Sequence, residues 1–267
     1  MQISLGFSPC PNDTFIFNSL VNGAVPLPGY SLEVALHDVE TLNRMAFDER
    51  LDVTKLSFYA WLKVRDRYRL LSSGGALGYG CGPLVVARKA LIREEMAGCR
   101  IVLPGEWTTA HLLFQLWAPD ANQRRFVTYD RIFDALDSGE ADCGVIIHES
   151  RFTYESAGFK AVVDLGAWWE SLTELPIPLG CIAVHRRTPD AFVGQLEQAI
   201  RRSISTARQD PASALPYIRE HAQEMTESVL NAHIDTFVND FSLDLGETGY
   251  RAVQVLEERA EAAGILT

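Results

Sequence analysis

Apolar positions along the chain switch repeatedly between two periods. Gln2–Phe7, Ser31–Leu36 and Val53–Ser57 read as strands, and between them Asp13–Val21 and Val39–Phe47 carry helical spacing. Gly23 stops the first helix, and Asp38 is a ready N-cap for the second. Tyr68–Ser72 is a further strand. The glycine-dense run Gly74–Gly82 reads as a loop, and Pro83–Arg88 returns as a strand. Strands at Arg100–Leu103, Arg125–Tyr129 and Cys143–Ile147 then alternate with helices at Thr109–Trp117 and Arg131–Leu136, and strands at Phe159–Val163 and Gly180–His185 follow. After residue 188 the strand signal disappears. Ala191–Thr206, Pro211–Arg219, Glu227–Val238 and Glu247–Ala263 are helical, the first with Phe192, Leu196, Ala199 and Ile200 on one face.

Strands alternating with helices imply sheets covered by helices, and an uninterrupted apolar strand such as Cys143–Ile147 suits a parallel sheet buried on both faces. Two such blocks followed by a helical tail predict an α/β chain of two lobes, with mixed, mainly parallel sheets. Residues 1–88 plus 184–267 form the expected first lobe and residues 89–183 the second, with a ligand cleft between them. A single continuous doubly wound sheet is the alternative that the periodicity leaves open.

The bulk properties narrow the function classes. The chain has 267 residues, 47% hydrophobic and 22% charged, an ordinary globular balance. The net charge of −11 and absence of a basic patch argue against nucleic-acid binding. Five cysteines, none at C-x-x-C spacing, argue against a disulfide framework or a zinc knuckle and fit a reducing cytoplasm. The first residues lack a basic stretch followed by a long apolar one, so they read as a strand rather than a signal peptide. No apolar run reaches spanning length, so no membrane contact is expected. The sequence sets no oligomeric state.

Four segments fall beyond strand ends, where ligands gather in open α/β sheets. In Ser8–Thr14, two prolines stiffen the link from strand to helix, and Asn12 and Asp13 either cap the helix or line a pocket. Lys55 and Ser57 share one face of their strand. They would meet an anionic ligand, unless they are simply a solvated lysine and a strand-end serine. In Pro104–Ala110 the free N–H groups of a helix start at Thr109 and Ala110 suit a carboxylate or hydroxyl, although the threonine pair also explains itself as a cap. His148 ends an apolar strand, and histidine is the commonest general acid or base. A buried structural histidine is the competing reading. His37, His111, His185, His221 and His233 are weaker candidates. Neither H-E-x-x-H, G-x-S-x-G nor a phosphate-binding glycine motif is present, so zinc protease, serine hydrolase and nucleotide chemistry have no support.

Two blocks, SPCPNDTFIF at Ser8–Phe17 and GVIIHESRFTY at Gly144–Tyr154, resemble the 1,4-dihydroxy-6-naphthoate synthases of the futalosine route to menaquinone. Length and element order agree over essentially the whole chain, and Lys55–Ser57 and Thr108–Ala110 are similar to that family's pocket segments. Ser150 stands where the pattern has glycine, which is tolerable if its backbone angles are ordinary. The resemblance implies a fold like the type II periplasmic binding proteins. It also implies a carbon–carbon lyase that converts the small molecule cyclic dehypoxanthine futalosine to 1,4-dihydroxy-6-naphthoate without cofactor or metal. His148 would be the base, with Ser57 and Thr109 holding substrate and Asn12 and Asp13 forming the opposite wall. Rival readings are a solute receptor of the same fold, the sister chorismate dehydratase and a non-catalytic sensor.

Overall fold

The expected strands pair into two separate sheets in a computed structural model that describes residues 1–222 and 226–266. The chain begins with β1 (Gln2–Phe7), α1 (Pro11–Val21), β2 (Ser31–Leu36), α2 (Val39–Phe47), β3 (Val53–Ser57), α3 (Phe58–Val64), β4 (Tyr68–Leu70) and β5 (Ala76–Gly78). It continues with β6 (Leu84–Ala87), β7 (Ile101–Leu103), α4 (Thr109–Trp117), β8 (Arg124–Phe126), α5 (Ile132–Asp137), β9 (Cys143–Ile146), α6 (Ser150–Thr153), β10 (Lys160–Asp164) and α7 (Leu165–Thr173). The remainder is β11 (Ile177–His185) and the helices α8 (Asp190–Gln209), α9 (Pro211–His221), α10 (Glu227–Phe237), α11 (Asp240–Leu243) and α12 (Gly246–Ala262).

The first sheet has the order β2-β1-β3-β11-β4, with β5 also paired to β11. The second has the order β10-β6-β9-β7-β8. Both are mixed. Pairs β1·β2, β1·β3, β7·β8 and β7·β9 are parallel, whereas β11 and β6 run antiparallel to every neighbour. Antiparallel pairings therefore outnumber the parallel ones that the apolar runs suggested. The cause is that one strand in each sheet comes from across the molecule rather than from a right-handed βαβ crossover.

Strand pairing also moves the crossings. Leu84–Ala87, expected in the first lobe, belongs to the second sheet, and residues 177–183, expected in the second lobe, belong to the first. An isolated apolar strand fits either sheet; its partners decide. We propose that each sheet is the core of one lobe.

Why the elements form is mostly local. Asp38 caps α2 as expected, its carboxylate accepting from the Glu40 and Thr41 amides at 3.1 Å. Helix α1 is buried from Pro11 to Leu20 and is enclosed by α8, α9 and α10, which is the condition for a helix apolar on most faces. Helices α3 and α7 follow their strands without a turn signal, and periodicity overlooked both. One apolar cluster spans the two sheets, joining Leu56 and Ala183 of the first to Val85 and Ile101 of the second, with Trp169 fully buried. Among the described residues no helix is long and apolar enough to cross a membrane.

The crossing between β5 and β6 passes against the start of α7. A Cβ at Gly82 would lie 2.3 Å from the Gly166 backbone, closer than any real contact. Gly82→Ala is expected to lower unfolding free energy by about 1–3 kcal/mol through overpacking. An unchanged denaturant midpoint would show that the two backbones separate freely.

Candidate functional site

All seven residues singled out from the sequence line one cavity between the sheets: Asn12, Asp13, Lys55, Ser57, Thr109, Ala110 and His148. The first four come from the first sheet. Strand β3 is buried on both faces, and its alternation points Lys55 and Ser57 the same way. Lys55 is neither solvated nor free for an anion. It is 5% exposed and its Nζ donates to Asp13 Oδ1 at 2.7 Å. The same carboxylate accepts from Asn12 Nδ2 at 2.9 Å, and its Oδ2 accepts from the Ser8 hydroxyl at 2.7 Å and the Ser8 amide at 3.3 Å. Asn12 and Asp13 thus share a corner with Lys55 rather than forming an opposite wall. Asp13 sits one helical turn into α1, so its side chain turns back toward β3. Asn12 Oδ1 accepts from His233 Nε2 of α10 at 3.1 Å.

His148 comes from the second sheet, two residues beyond β9. Its backbone is left-handed, φ 56°, a strained conformation for a non-glycine residue and one that recurs at functional sites. Ser150 has no positive φ, so its departure from glycine costs no strain. The His148 ring is half-buried. Its Nδ1 lies 3.6 Å from Cys10 Sγ, the Tyr129 ring is 5.1 Å away edge-on, and the His233 ring lies nearly parallel at 6.0 Å. Burial pushes the His148 pKa below its usual 6.5. Lys55 adds to the shift, and Glu149, Asp13 and Asp38 oppose it. The imidazole is therefore neutral near pH 7. Burial also pushes the Cys10 thiol far up, with Asp13 and Glu149 adding to it, so Cys10 keeps its proton. His233 is pushed well below its usual value by burial, then by His148 and Lys55.

The start of α4 closes the cavity. Thr108 is the cap, its hydroxyl accepting from the His111 amide at 3.2 Å. The Thr109 hydroxyl donates to the Leu179 carbonyl at 2.7 Å and accepts from the Tyr59 amide at 3.3 Å, so its hydrogen is already committed within the protein. The amides of Thr109 and Ala110 have no protein acceptor among the described residues, as expected for the first turn of a helix. Asn43, fully buried, holds Ser57 to this turn. Its Nδ2 reaches Ser57 Oγ at 3.2 Å and the Trp107 carbonyl at 3.3 Å, and its Oδ1 accepts from the Ser57 amide at 2.9 Å.

Three polar participants escaped the sequence reading. His233 looked like one more apolar-face residue of a tail helix, and nothing in its local pattern separates it from a core histidine. Asn43 lies mid-helix, where asparagine carries no signal. Arg151 lines the cavity and ties α6 to the β5–β6 crossing and to Asp164. It stands inside the Gly144–Tyr154 block, so that block held the clue. Cys10 stands likewise inside Ser8–Phe17. His111 and His185 are engaged elsewhere, with the Glu106 carbonyl and Glu49. Among the described residues no group of three or more His, Cys, Asp or Glu side chains is placed to hold a metal ion.

A buried ion pair is worth most when one half is removed. Lys55→Met is expected to destabilise the fold by about 3–5 kcal/mol, because Asp13 keeps a buried charge without its cation. The double variant Asp13→Asn/Lys55→Met should recover part of that loss. A loss for Lys55→Met within the ~1 kcal/mol of a surface pair would contradict this.

Comparison with known proteins gives the same picture over the whole chain. A curated protein of Thermus thermophilus named 1,4-dihydroxy-6-naphtoate synthase is 52% identical over 98% of this chain and 95% of its own length. A protein of the same name from Streptomyces coelicolor is 42% identical over 99% of this chain and 94% of its own. A crystal structure of an Archaeoglobus fulgidus protein, 34% identical, superposes with a TM-score of 0.94 over 99% of this chain and 98% of that one. The alkanesulfonate-binding protein of Xanthomonas axonopodis pv. citri, only 14% identical, superposes at 0.72 over 100% and 94%. The fold is therefore of the periplasmic-binding-protein type, as expected. A family model described as menaquinone biosynthesis matches residues 3–262, and the chain belongs to that family.

Proposed function

We propose that this chain is a 1,4-dihydroxy-6-naphthoate synthase, a carbon–carbon lyase acting on cyclic dehypoxanthine futalosine, with His148 as its general base. The observation that carries the reading is a neutral imidazole on a strained strand end, facing a cavity whose other walls supply hydrogen-bond donors. The relatives' printed name adds to it. A retro-aldol cleavage needs a hydroxyl proton removed while the electrons of the breaking bond pass into the ring that becomes aromatic. A neutral histidine beside the hydroxyl does the first part. The substrate carboxylate would meet the free amides of Thr109 and Ala110. The Ser57 hydroxyl, which accepts from Asn43 but has its hydrogen uncommitted, would donate to a substrate oxygen. Lys55 binds through the ammonium hydrogens that Asp13 leaves free. Thr109 contributes its amide rather than its hydroxyl. In this reading the reaction uses no cofactor or metal. Five free, buried cysteines support a reducing, cytoplasmic setting.

His148→Asn is expected to lower kcat by at least about 10²-fold, the lower bound of a general base's contribution, with the cyclic substrate as assay. Turnover close to wild type would remove His148 from the role. Formation of 3-enolpyruvylbenzoate from chorismate would replace the proposed reaction with the sister one. The base works unprotonated, and its pKa is lowered, so activity should persist at pH 7 and fall only as pH drops below 6.5. The groups facing the ring are Glu149, Asp13, Asp38, Lys55, Tyr129, Cys10 and His233. An acid limb of kcat/KM centred above 6.5 would contradict the assignment.

A further inference from the structure

A general base must present a lone pair, and a neutral imidazole has only one. Which nitrogen of His148 carries the hydrogen therefore decides whether it acts as a base toward the cavity. Its Nδ1 faces Cys10 Sγ at 3.6 Å, and no described protein group bonds Nε2. Taken alone, this contact is ambiguous, since either S–H or N–H can be the donor.

The ambiguity ends two residues away. An ionised carboxylate only accepts. Asp13 Oδ2 lies 2.7 Å from the Ser8 hydroxyl, so the Ser8 hydrogen points at Asp13. Ser8 Oγ then has only acceptor capacity left. It takes the Cys10 amide at 3.4 Å and stands beside the Cys10 thiol. With the thiol hydrogen turned to Ser8, the sulfur offers a lone pair to His148, and the hydrogen of that contact comes from Nδ1. In the reverse arrangement, Ser8 Oγ would keep only a long amide bond, and an N–H would point from Nε2 into the cavity without a protein acceptor. A second chain leaves the same carboxylate. Asp13 Oδ1 takes an Asn12 N–H, which turns Asn12 Oδ1 outward, so His233 donates from Nε2. Its Nδ1 is buried without a partner.

We propose that Ser8 and Cys10 are positioning residues that carry the polarity of the Asp13 carboxylate to His148, fixing its hydrogen on Nδ1 and its lone pair on Nε2. One carboxylate thereby sets the two neighbouring imidazoles in opposite tautomers. The catalytic meaning of this rests on His148 being the base; the tautomer assignment does not.

Long-range proton–nitrogen NMR of the full chain labelled with 15N-histidine, near pH 7.5, reads both rings directly. The signals are assigned by loss in His148→Asn and His233→Asn. The expected result is His148 protonated at Nδ1 and His233 at Nε2. Cys10→Ala should shift His148 toward Nε2–H and lower kcat about 10-fold, a modest effect because sulfur is a weak acceptor. KM should stay within about twofold, since only the reacting form changes. Cys10→Ser should restore both readouts, and Ser8→Ala, which cuts the chain one link earlier, should reproduce the shift if Cys10→Ala does not fold. Wild-type His148 protonated at Nε2, or an unmoved tautomer in both Cys10→Ala and Ser8→Ala, would overturn the proposal. The expected tautomers together with full turnover in His148→Asn would leave the relay standing and sink the base.

Discussion

The ion pair between Asp13 and Lys55 is the constraint around which the cavity is arranged. Burying two charges costs several kcal/mol each, and a carboxylate tolerates it only when its lone pairs are filled. Asp13 has four donors, from Lys55, Asn12 and both polar groups of Ser8. Each of them fixes something else. Lys55 ties the first turn of α1 to the end of β3. Ser8 holds the β1–α1 connection against its own helix. Asn12 recruits His233 and with it α10, a helix far along the chain. Gly180 on β11 leaves the space that the Lys55 side chain occupies, since a Cβ there would lie 3.1 Å from Lys55 Cε.

The second half of the site depends on that first half. His148 arrives on a different sheet, in a left-handed conformation that the chain does not adopt without support. Arg151 holds the segment that follows it to the Gly82 carbonyl and Asp164. The ring then rests among Cys10, Tyr129 and His233. Its basicity follows from this enclosure. Few polar groups compensate for the lost water, so the neutral imidazole is favoured, and Lys55 reinforces that choice.

The fold is shared with proteins that bind and release solutes, so the two-sheet cleft alone does not separate a receptor from an enzyme. What differs is local: a titratable ring under strain opposite a buried charge network. Such groups are costly in a simple binding site, where packing and a few donors suffice.

The sequence by itself determined the elements. Strands β1, β2 and β3 and helices α2 and α4 match the expected limits residue for residue, because each is bounded by strong local signals: alternation, a capping Asp38, a capping threonine. It also pointed to the right loops, since strand ends and helix starts are where ligands gather. The shortfalls concern partners. Strands β6 and β11 read as edges of the wrong lobes because an apolar strand carries no mark of its neighbour. His233 and Asn43 were invisible because their importance lies in contacts 221 and 14 residues away along the chain. Lys55 read as a candidate for an anionic ligand, and only the folded chain shows that Asp13 already occupies it. Local periodicity and capping are encoded in neighbouring residues. Pairing, charge compensation and tautomer choice exist only where distant segments meet.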